Sequence, residues 1–132
     1  SLTELRLEGN RITDVSGLGT LTSLELLYLT DNQLREIKGL SGLKRLKGLY
    51  VRNNEIEDMR GLAGLSNLKG VDLRNNEIRE IRGLAEIEDL YSLRLRDNPI
   101  PEDLLEKLGG LDEDGDANDP QKFVEYCRKR DL

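Results

Sequence analysis

The sequence repeats at an interval of 22 residues, and no insertion or deletion breaks the register between residues 2 and 100. Aliphatic residues recur in three columns of the repeat. The first column contains Leu2, Leu24, Leu46, Leu68 and Leu90; the second, Leu5, Leu27, Leu49, Val71 and Leu93; the third, Leu7, Leu29, Val51, Leu73 and Leu95. A fixed short period indicates that one small unit is stacked on copies of itself, and it therefore predicts a solenoid with a continuous aliphatic core.

Each unit divides into a strand half and a turn half. The Leu-x-Leu alternation of the first half predicts a β-strand, and strands of successive units would stack in parallel. An asparagine follows each strand, at Asn10, Asn32, Asn54, Asn76 and Asn98. Because an amide both donates and accepts hydrogen bonds, we interpret this column as satisfying backbone groups where the chain leaves the sheet.

The second half of the unit has no room for a long helix and predicts short 3-10 turns. A glycine recurs within it, at Gly17, Gly39, Gly61 and Gly83. Glycine adopts conformations that other residues avoid, so we expect these positions to permit a tight backbone.

The consensus LxxLxxLxLxxNxIxxIxGLxxL resembles the 22-residue leucine-rich repeat of the phosphatase-one regulatory subunit and of bacterial internalins. The resemblance implies an α/β fold: a right-handed solenoid with a parallel sheet on its concave face, 3-10 turns on its convex face and a helical C-terminal cap. The repeats would be 2–23, 24–45, 46–67, 68–89 and a partial fifth, 90–100. Such repeats serve many unrelated partners, so the resemblance specifies a fold and not a function.

Residues 101–132 depart from the repeat and predict the helical cap. A short helix is expected from Glu102 to Leu108, and a second one is expected to have Asp119 as its N-cap and Pro120 at its first position. The side chains expected to cover the last repeat are Phe123, Val124, Cys127 and the stem of Tyr126. The lone cysteine is therefore interpreted as structural. This ending resembles the segment that closes leucine-rich-repeat arms in bacterial and Roco-type proteins.

The opposite end has no such segment before its first repeat. The core face there is lined by Leu2, Leu5, Leu7 and Ile12. Solenoid ends normally need a polar cap. We therefore expect upstream chain or another subunit to cover this edge.

Outward strand positions form the candidate functional surface, because the repeat itself does not require their side chains. The first outward column holds Glu4, Leu26, Gly48, Gly70 and Ser92; the middle one, Arg6, Tyr28, Tyr50, Asp72 and Arg94; the third, Glu8, Thr30, Arg52, Arg74 and Arg96. Neighbouring strands lie about 4.8 Å apart. Three consecutive arginines should therefore stand as a ladder beside two tyrosines.

Tyrosine and arginine are enriched among the residues that dominate binding energy at protein interfaces. The predicted partner-binding residues are Tyr28, Tyr50, Arg52, Asp72, Arg74, Arg94 and Arg96. The expected partner is an acidic or phosphorylated peptide or protein surface, and two column-one glycines, Gly48 and Gly70, would let it lie close. The alternative is a solvated face whose arginines are neutralised by Asp72, Glu55, Glu77 and Asp97.

The net charge of −6 is concentrated in one segment. Residues 102–119 carry eight acidic residues and one lysine, so the rest of the chain sums to +1. This distribution argues against nucleic-acid binding. Asp114, Asp116, Asn118 and Glu125 match four ligand positions of a calcium-binding EF-hand, but Asp119 stands where that loop needs glycine. A solvated, helix-capping loop is the favoured interpretation.

The sequence offers no constellation for catalysis, since it has no histidine, one cysteine and no phosphate-binding glycine loop. We therefore expect no enzymatic activity, no cofactor, no metal and no small-molecule substrate. No apolar stretch approaches the roughly 20 residues of a membrane span. We expect no membrane contact and a cytoplasmic location, although secretion stays open.

The leading hypothesis is a protein-interaction module, or scaffold, within a larger regulatory or signalling protein. The alternatives are an architectural spacer and a secreted internalin-like adhesin.

Overall fold

The computed structural model describes residues 1–130 and contains one five-stranded parallel sheet. The strands are β1 (Glu4–Arg6), β2 (Leu26–Tyr28), β3 (Gly48–Tyr50), β4 (Gly70–Asp72) and β5 (Ser92–Arg94). They lie side by side in chain order. Each residue pairs with the one 22 positions later, as in Leu5 with Leu27 and Leu27 with Leu49. The sequence period is therefore the structural period, and the predicted solenoid with its parallel sheet is confirmed.

The aliphatic columns fill the space behind the sheet. Leu27 of β2, Leu49 of β3 and Leu93 of β5 are fully buried, and Val71 of β4 is also buried. Burial fails only toward the first repeat, where Leu5 and Leu7 are partly covered and Leu2 is 47% exposed. A repeat buries its inner face against neighbours on both sides, so an edge repeat is less covered than an internal one.

The asparagine column ties each repeat to the one before it. Asn54 donates from Nδ2 to the carbonyls of Val51 (2.9 Å) and Leu29 (3.0 Å). Its Oδ1 accepts the N–H of Leu34 at 3.0 Å. Leu29 and Leu34 belong to the preceding repeat, and Asn32, Asn76 and Asn98 repeat the arrangement. The interpretation of these residues as structural is confirmed.

The outer side of the solenoid alternates between two backbone forms. The first and third repeats contain 3-10 helices, at Ser16–Thr20 and Arg60–Leu62. In both, an aspartate two residues earlier accepts the first N–H: Asp14 from Ser16 and Asp58 from Arg60, each at 2.9 Å. The second and fourth repeats have glutamate in this column and show turns without a 3-10 helix. The expected 3-10 turns are therefore present in alternate repeats.

The glycine column has two roles instead of the one expected. Gly39 and Gly83 have φ of 81° and 82°, the left-handed conformation that glycine permits. Gly61 has an ordinary φ, but a Cβ there would overlap the carbonyl oxygen of Ile37. At Gly17 neither reason applies, because its φ is ordinary and open space surrounds the Cβ position.

Two helices follow the last strand, α1 (Glu102–Lys107) and α2 (Pro120–Arg130). Phe123, Val124 and Cys127 of α2 are fully buried against the core, which confirms the helical cap. Residues 131–132 of the predicted cap lie outside the described residues. Neither helix is long and apolar enough to span a bilayer, a finding that concerns residues 1–130.

The acidic segment between the helices has exposed side chains at Asp112, Glu113, Asp114 and Asp119, as expected of a solvated loop, but its backbone contacts the sheet, which the sequence did not predict. It returns to the sheet, where the N–H of Leu95 donates to the carbonyl of Gly115 at 2.9 Å and the N–H of Ala117 donates to Leu93 at 2.8 Å. Arg94 and Asp116 thereby form an antiparallel bridge. An uncovered strand edge has unpaired backbone groups, and this segment satisfies those of β5.

Candidate functional site

A stack of three planar side chains crosses the first three strands. The rings of Tyr28 and Tyr50, which are register partners, lie 4.6 Å apart at an interplanar angle of 9°. The guanidinium of Arg6 lies 3.9 Å from the centre of the Tyr28 ring. Cation–π contacts contribute about 0.5–1 kcal/mol at exposed sites. The structure thus brings the two predicted tyrosines together and adds Arg6, which stands in the same sequence column but was not among the predicted site residues.

Arg74 is not a free member of an arginine ladder. It donates from Nε and NH2 to the two carboxylate oxygens of Asp72, at 2.9 and 2.7 Å. Asp72 is only 7% exposed. These hydrogen bonds raise the pKa of Arg74. A bidentate, largely buried pair is a fixed part of the surface, so Arg74 is committed to Asp72.

The remaining arginines differ in how firmly they are paired. Arg94 Nε donates to Asp116 at 3.1 Å, and Arg96 lies 3.6 Å from a carboxylate oxygen of Asp97. Within residues 1–130, Arg52 forms no ion pair. The predicted neutralisation by Asp72 and Asp97 is therefore present, and Asp116 was not anticipated.

Of the other acidic residues expected to neutralise these arginines, Glu77 forms no ion pair within residues 1–130. Glu55 lies 4.0 Å from Arg35, a residue outside the outward columns. Of the three arginines in the predicted ladder, Arg52, Arg74 and Arg96, only Arg52 has no carboxylate partner in the described part of the chain.

A groove of about 480 Å³ opens beside the tyrosine stack. Gly48, Gly70, Tyr50 and Arg94 are among the residues that line it. Burial is the main cause that raises the pKa of Tyr50, followed by the neighbouring Tyr28. The groove therefore combines the ring of Tyr50 with two lining positions, Gly48 and Gly70, that have no side chain.

Sequence reasoning missed three residues of this groove: Lys47, Lys69 and Tyr91. They occupy one column, directly before the first outward position of each strand. This column was not predicted because it lies between the first and the second aliphatic column of the repeat. Those two columns are three residues apart, so the alternation of inward and outward side chains is interrupted between them. Tyr91 is 71% exposed.

The site has the chemistry of a binding surface. In residues 1–130 no group of three or more His, Cys, Asp or Glu side chains could hold a metal ion. Of the residues that match a calcium loop, Asp116 is paired with Arg94. Aromatic faces, guanidinium groups and a groove are features that can recognise a partner.

Comparison with protein families supports the repeat assignment. The model for leucine-rich repeats (two copies) matches residues 1–42, 22–64 and 44–86. The chain belongs to the leucine-rich-repeat family. Comparison with curated proteins gives no significant match.

Solved leucine-rich-repeat structures resemble this one. Internalin C2 from Listeria monocytogenes is 40% identical with a TM-score of 0.65, over 69% of this chain and 40% of that one. A second Listeria monocytogenes internalin is 30% identical with a TM-score of 0.69, over 76% of this chain and 30% of that one. A Leptospira interrogans leucine-rich-repeat protein, at 24% identity and a TM-score of 0.64, supports the fold alone, over 81% of this chain and 34% of that one. The chain spans well under half the length of each.

Proposed function

We propose that this leucine-rich-repeat chain binds a partner protein or peptide through the concave face of its sheet. The observation that carries the proposal is the ordered stack of Arg6, Tyr28 and Tyr50 on the outward side of three adjacent strands. Stacked side chains have already lost rotamer freedom. The conformational entropy lost when a partner packs on them is therefore smaller. Leucine-rich repeats commonly serve as interaction modules, which agrees with this use.

The predicted site residues have unequal roles in this proposal. Tyr28, Tyr50 and Arg52 contact the partner directly. Arg94 and Arg96 can exchange their own carboxylates for those of an acidic partner, because exposed ion pairs contribute only about 0–1 kcal/mol. Asp72 and Arg74 hold each other and keep the surface rigid.

The module would serve within a larger regulatory or signalling protein in the cytoplasm and would itself carry no catalytic activity. A second candidate, a secreted adhesin, is favoured by the similarity to two Listeria internalins. The sequence encoded upstream distinguishes the two, because an adhesin requires a signal peptide and a cytoplasmic module does not.

A pull-down from the native source tests binding by the concave face. The bait is the wild-type chain, and the test variant combines Tyr28→Ala with Arg52→Glu. The matched control is Arg45→Glu, which reverses the charge of an exposed arginine in the turn before β3. We expect the control to retain the proteins captured by the wild type and the test variant to lose them.

Equal capture by the test variant, with unchanged thermal unfolding, would leave the concave face without a role. An architectural spacer would then be the better description of the chain.

A further inference from the structure

Within residues 1–130, the last ring of the tyrosine stack, Tyr50, contacts another ring on one face only, and no cation lies over it. One face of Tyr50 lies against Tyr28. On its β4 side Tyr50 lines the groove together with Gly70 and Asp72. Asp72 is the register partner of Tyr50, but its carboxylate is turned to Arg74. A fourth planar group could therefore stand beside Tyr50 without displacing a side chain.

The floor beneath that position is open because residue 70 is a glycine. A Cβ added to Gly70 would lie 3.5 Å from Ser92 Cβ, an ordinary van der Waals contact. The groove volume of about 480 Å³ falls within the range of roughly 300–1,000 Å³ typical of ligand sites. It is large enough to receive one aromatic ring with its flanking backbone.

The charges around the groove favour acidic neighbours for that ring. Three cations line it, Lys47, Lys69 and Arg94, against the single carboxylate of Asp72, which Arg74 already pairs. The two lysines form exposed ion pairs of 3.2 Å with acidic residues outside the groove lining. Such pairs are weak and exchange readily with a partner's carboxylates.

We propose that the groove over Gly70 is the subsite for an aromatic side chain of an acidic peptide segment in the partner. The ring stacks on the uncovered face of Tyr50, and carboxylates next to it in the partner's sequence pair with Lys47 and Lys69. Offset stacking between aromatic rings adds to the area they bury. This inference rests on the proposed function, since it assigns one contact of the same face.

Selection from a phage-displayed library of random short peptides tests the subsite without knowledge of the natural partner. We expect the wild-type chain to select peptides in which an aromatic residue adjoins Asp or Glu. The chain contains no tryptophan. A tryptophan in a selected peptide is therefore the sole indole of the complex, and its emission should shift to shorter wavelength when the ring enters the groove.

The variant Gly70→Leu fills the groove and should weaken such peptides roughly tenfold or more, as loss of an anchor contact does. The emission shift should disappear with it. The matched control is Thr30→Leu, which adds the same side chain to the same face outside the groove lining. Ser92→Leu narrows the groove from β5 and serves as a second test should Gly70→Leu unfold.

Three results would overturn the subsite: no selected peptides, peptides without the paired aromatic and acidic residues, or unchanged affinity for both groove-filling variants. If those peptides still lost affinity for the Tyr28→Ala/Arg52→Glu variant, binding by the concave face would stand and only the subsite would fail. If no variant of this face changed affinity, both proposals would fail.

Discussion

Asp116, in the segment that closes the sheet, places its carboxylate oxygen 3.1 Å from Nε of Arg94 on β5. A carboxylate of the chain itself thus pairs with an arginine of the candidate binding surface. The same segment adds main-chain hydrogen bonds to Leu93 and Leu95. The closing segment therefore caps the sheet edge and, under the proposed function, would compete with an acidic partner for that arginine.

Asp116→Asn should tighten the binding of acidic peptides, because it frees Arg94 while the main-chain hydrogen bonds keep the segment in place. Since exposed pairs contribute about 0.2–1 kcal/mol, the gain should be about 1.4-fold to fivefold. Isothermal titration with the selected peptides measures it. Weaker binding by this variant, with an unchanged melting temperature, would show that Asp116 does not compete.

Arg74→Leu should destabilise the fold by about 3–5 kcal/mol, since it leaves the buried carboxylate of Asp72 without its partner. The double variant Arg74→Leu/Asp72→Leu should recover most of that loss. Denaturant unfolding of both single variants and the double variant gives the coupling free energy. Additive losses would mean that the pair contributes nothing as a pair.

The asparagine column predicts a contrast between an internal repeat and the first one. Asn54→Ala removes four hydrogen bonds to backbone groups and leaves the buried N–H of Leu34 without its acceptor, so we expect a loss of about 3 kcal/mol. Asn10 is exposed and bonds only to carbonyls of its own repeat, Leu7 and Glu8. Asn10→Ala should cost much less in the same urea titration, and equal losses would contradict the role of the column in joining repeats.

Asp58 predicts an acid-dependent contribution to stability. Hydrogen bonds from the Arg60 side chain, and then from its backbone N–H, hold the pKa of Asp58 below the ordinary value of 3.8. A carboxyl whose folded pKa is depressed stabilises the fold above its unfolded pKa, and this contribution is lost as the pH falls through the folded pKa. The difference in unfolding free energy between wild type and Asp58→Asn should therefore be constant near neutral pH and shrink below about pH 4. A difference that stays constant into that acid range would contradict the assignment.

The fold was predictable because identical or similar residues recur at an interval of 22 positions and pair across neighbouring strands. Once the position of Leu27 in its repeat is known, its packing against Leu49 predicts the same contact between every pair of neighbouring repeats. The alternation of the outer turns was not predicted, although it depends on a visible difference. Asp14 and Asp58 cap a 3-10 helix where Glu36 and Glu80, with one more methylene, do not.

The candidate site was predictable only in part, because repeat columns state which side chains point outward and not which of them meet. Stacking of Tyr28 on Tyr50 follows from the register. The pairing of Arg74 with Asp72 depends on the side-chain rotamers of neighbouring residues. The hydrogen bond between Asp116 and Arg94 depends on a segment that lies outside the repeats. Lys47 and Lys69 were not predicted, because they lie where the alternation of inward and outward side chains is interrupted.

Two glycines of the same column should respond oppositely to alanine. Gly61→Ala places a Cβ on the carbonyl oxygen of Ile37, so the backbone must shift, at a cost of about 1–3 kcal/mol or more. Gly17 has an ordinary φ and open space around its Cβ position, so Gly17→Ala should be neutral or stabilise by about 0.4–1 kcal/mol through the unfolded state. Thermal unfolding of both variants makes the comparison. A loss at Gly17 as large as that at Gly61 would contradict the close approach to Ile37 as the cause of the loss, because only Gly61 of the two has that contact.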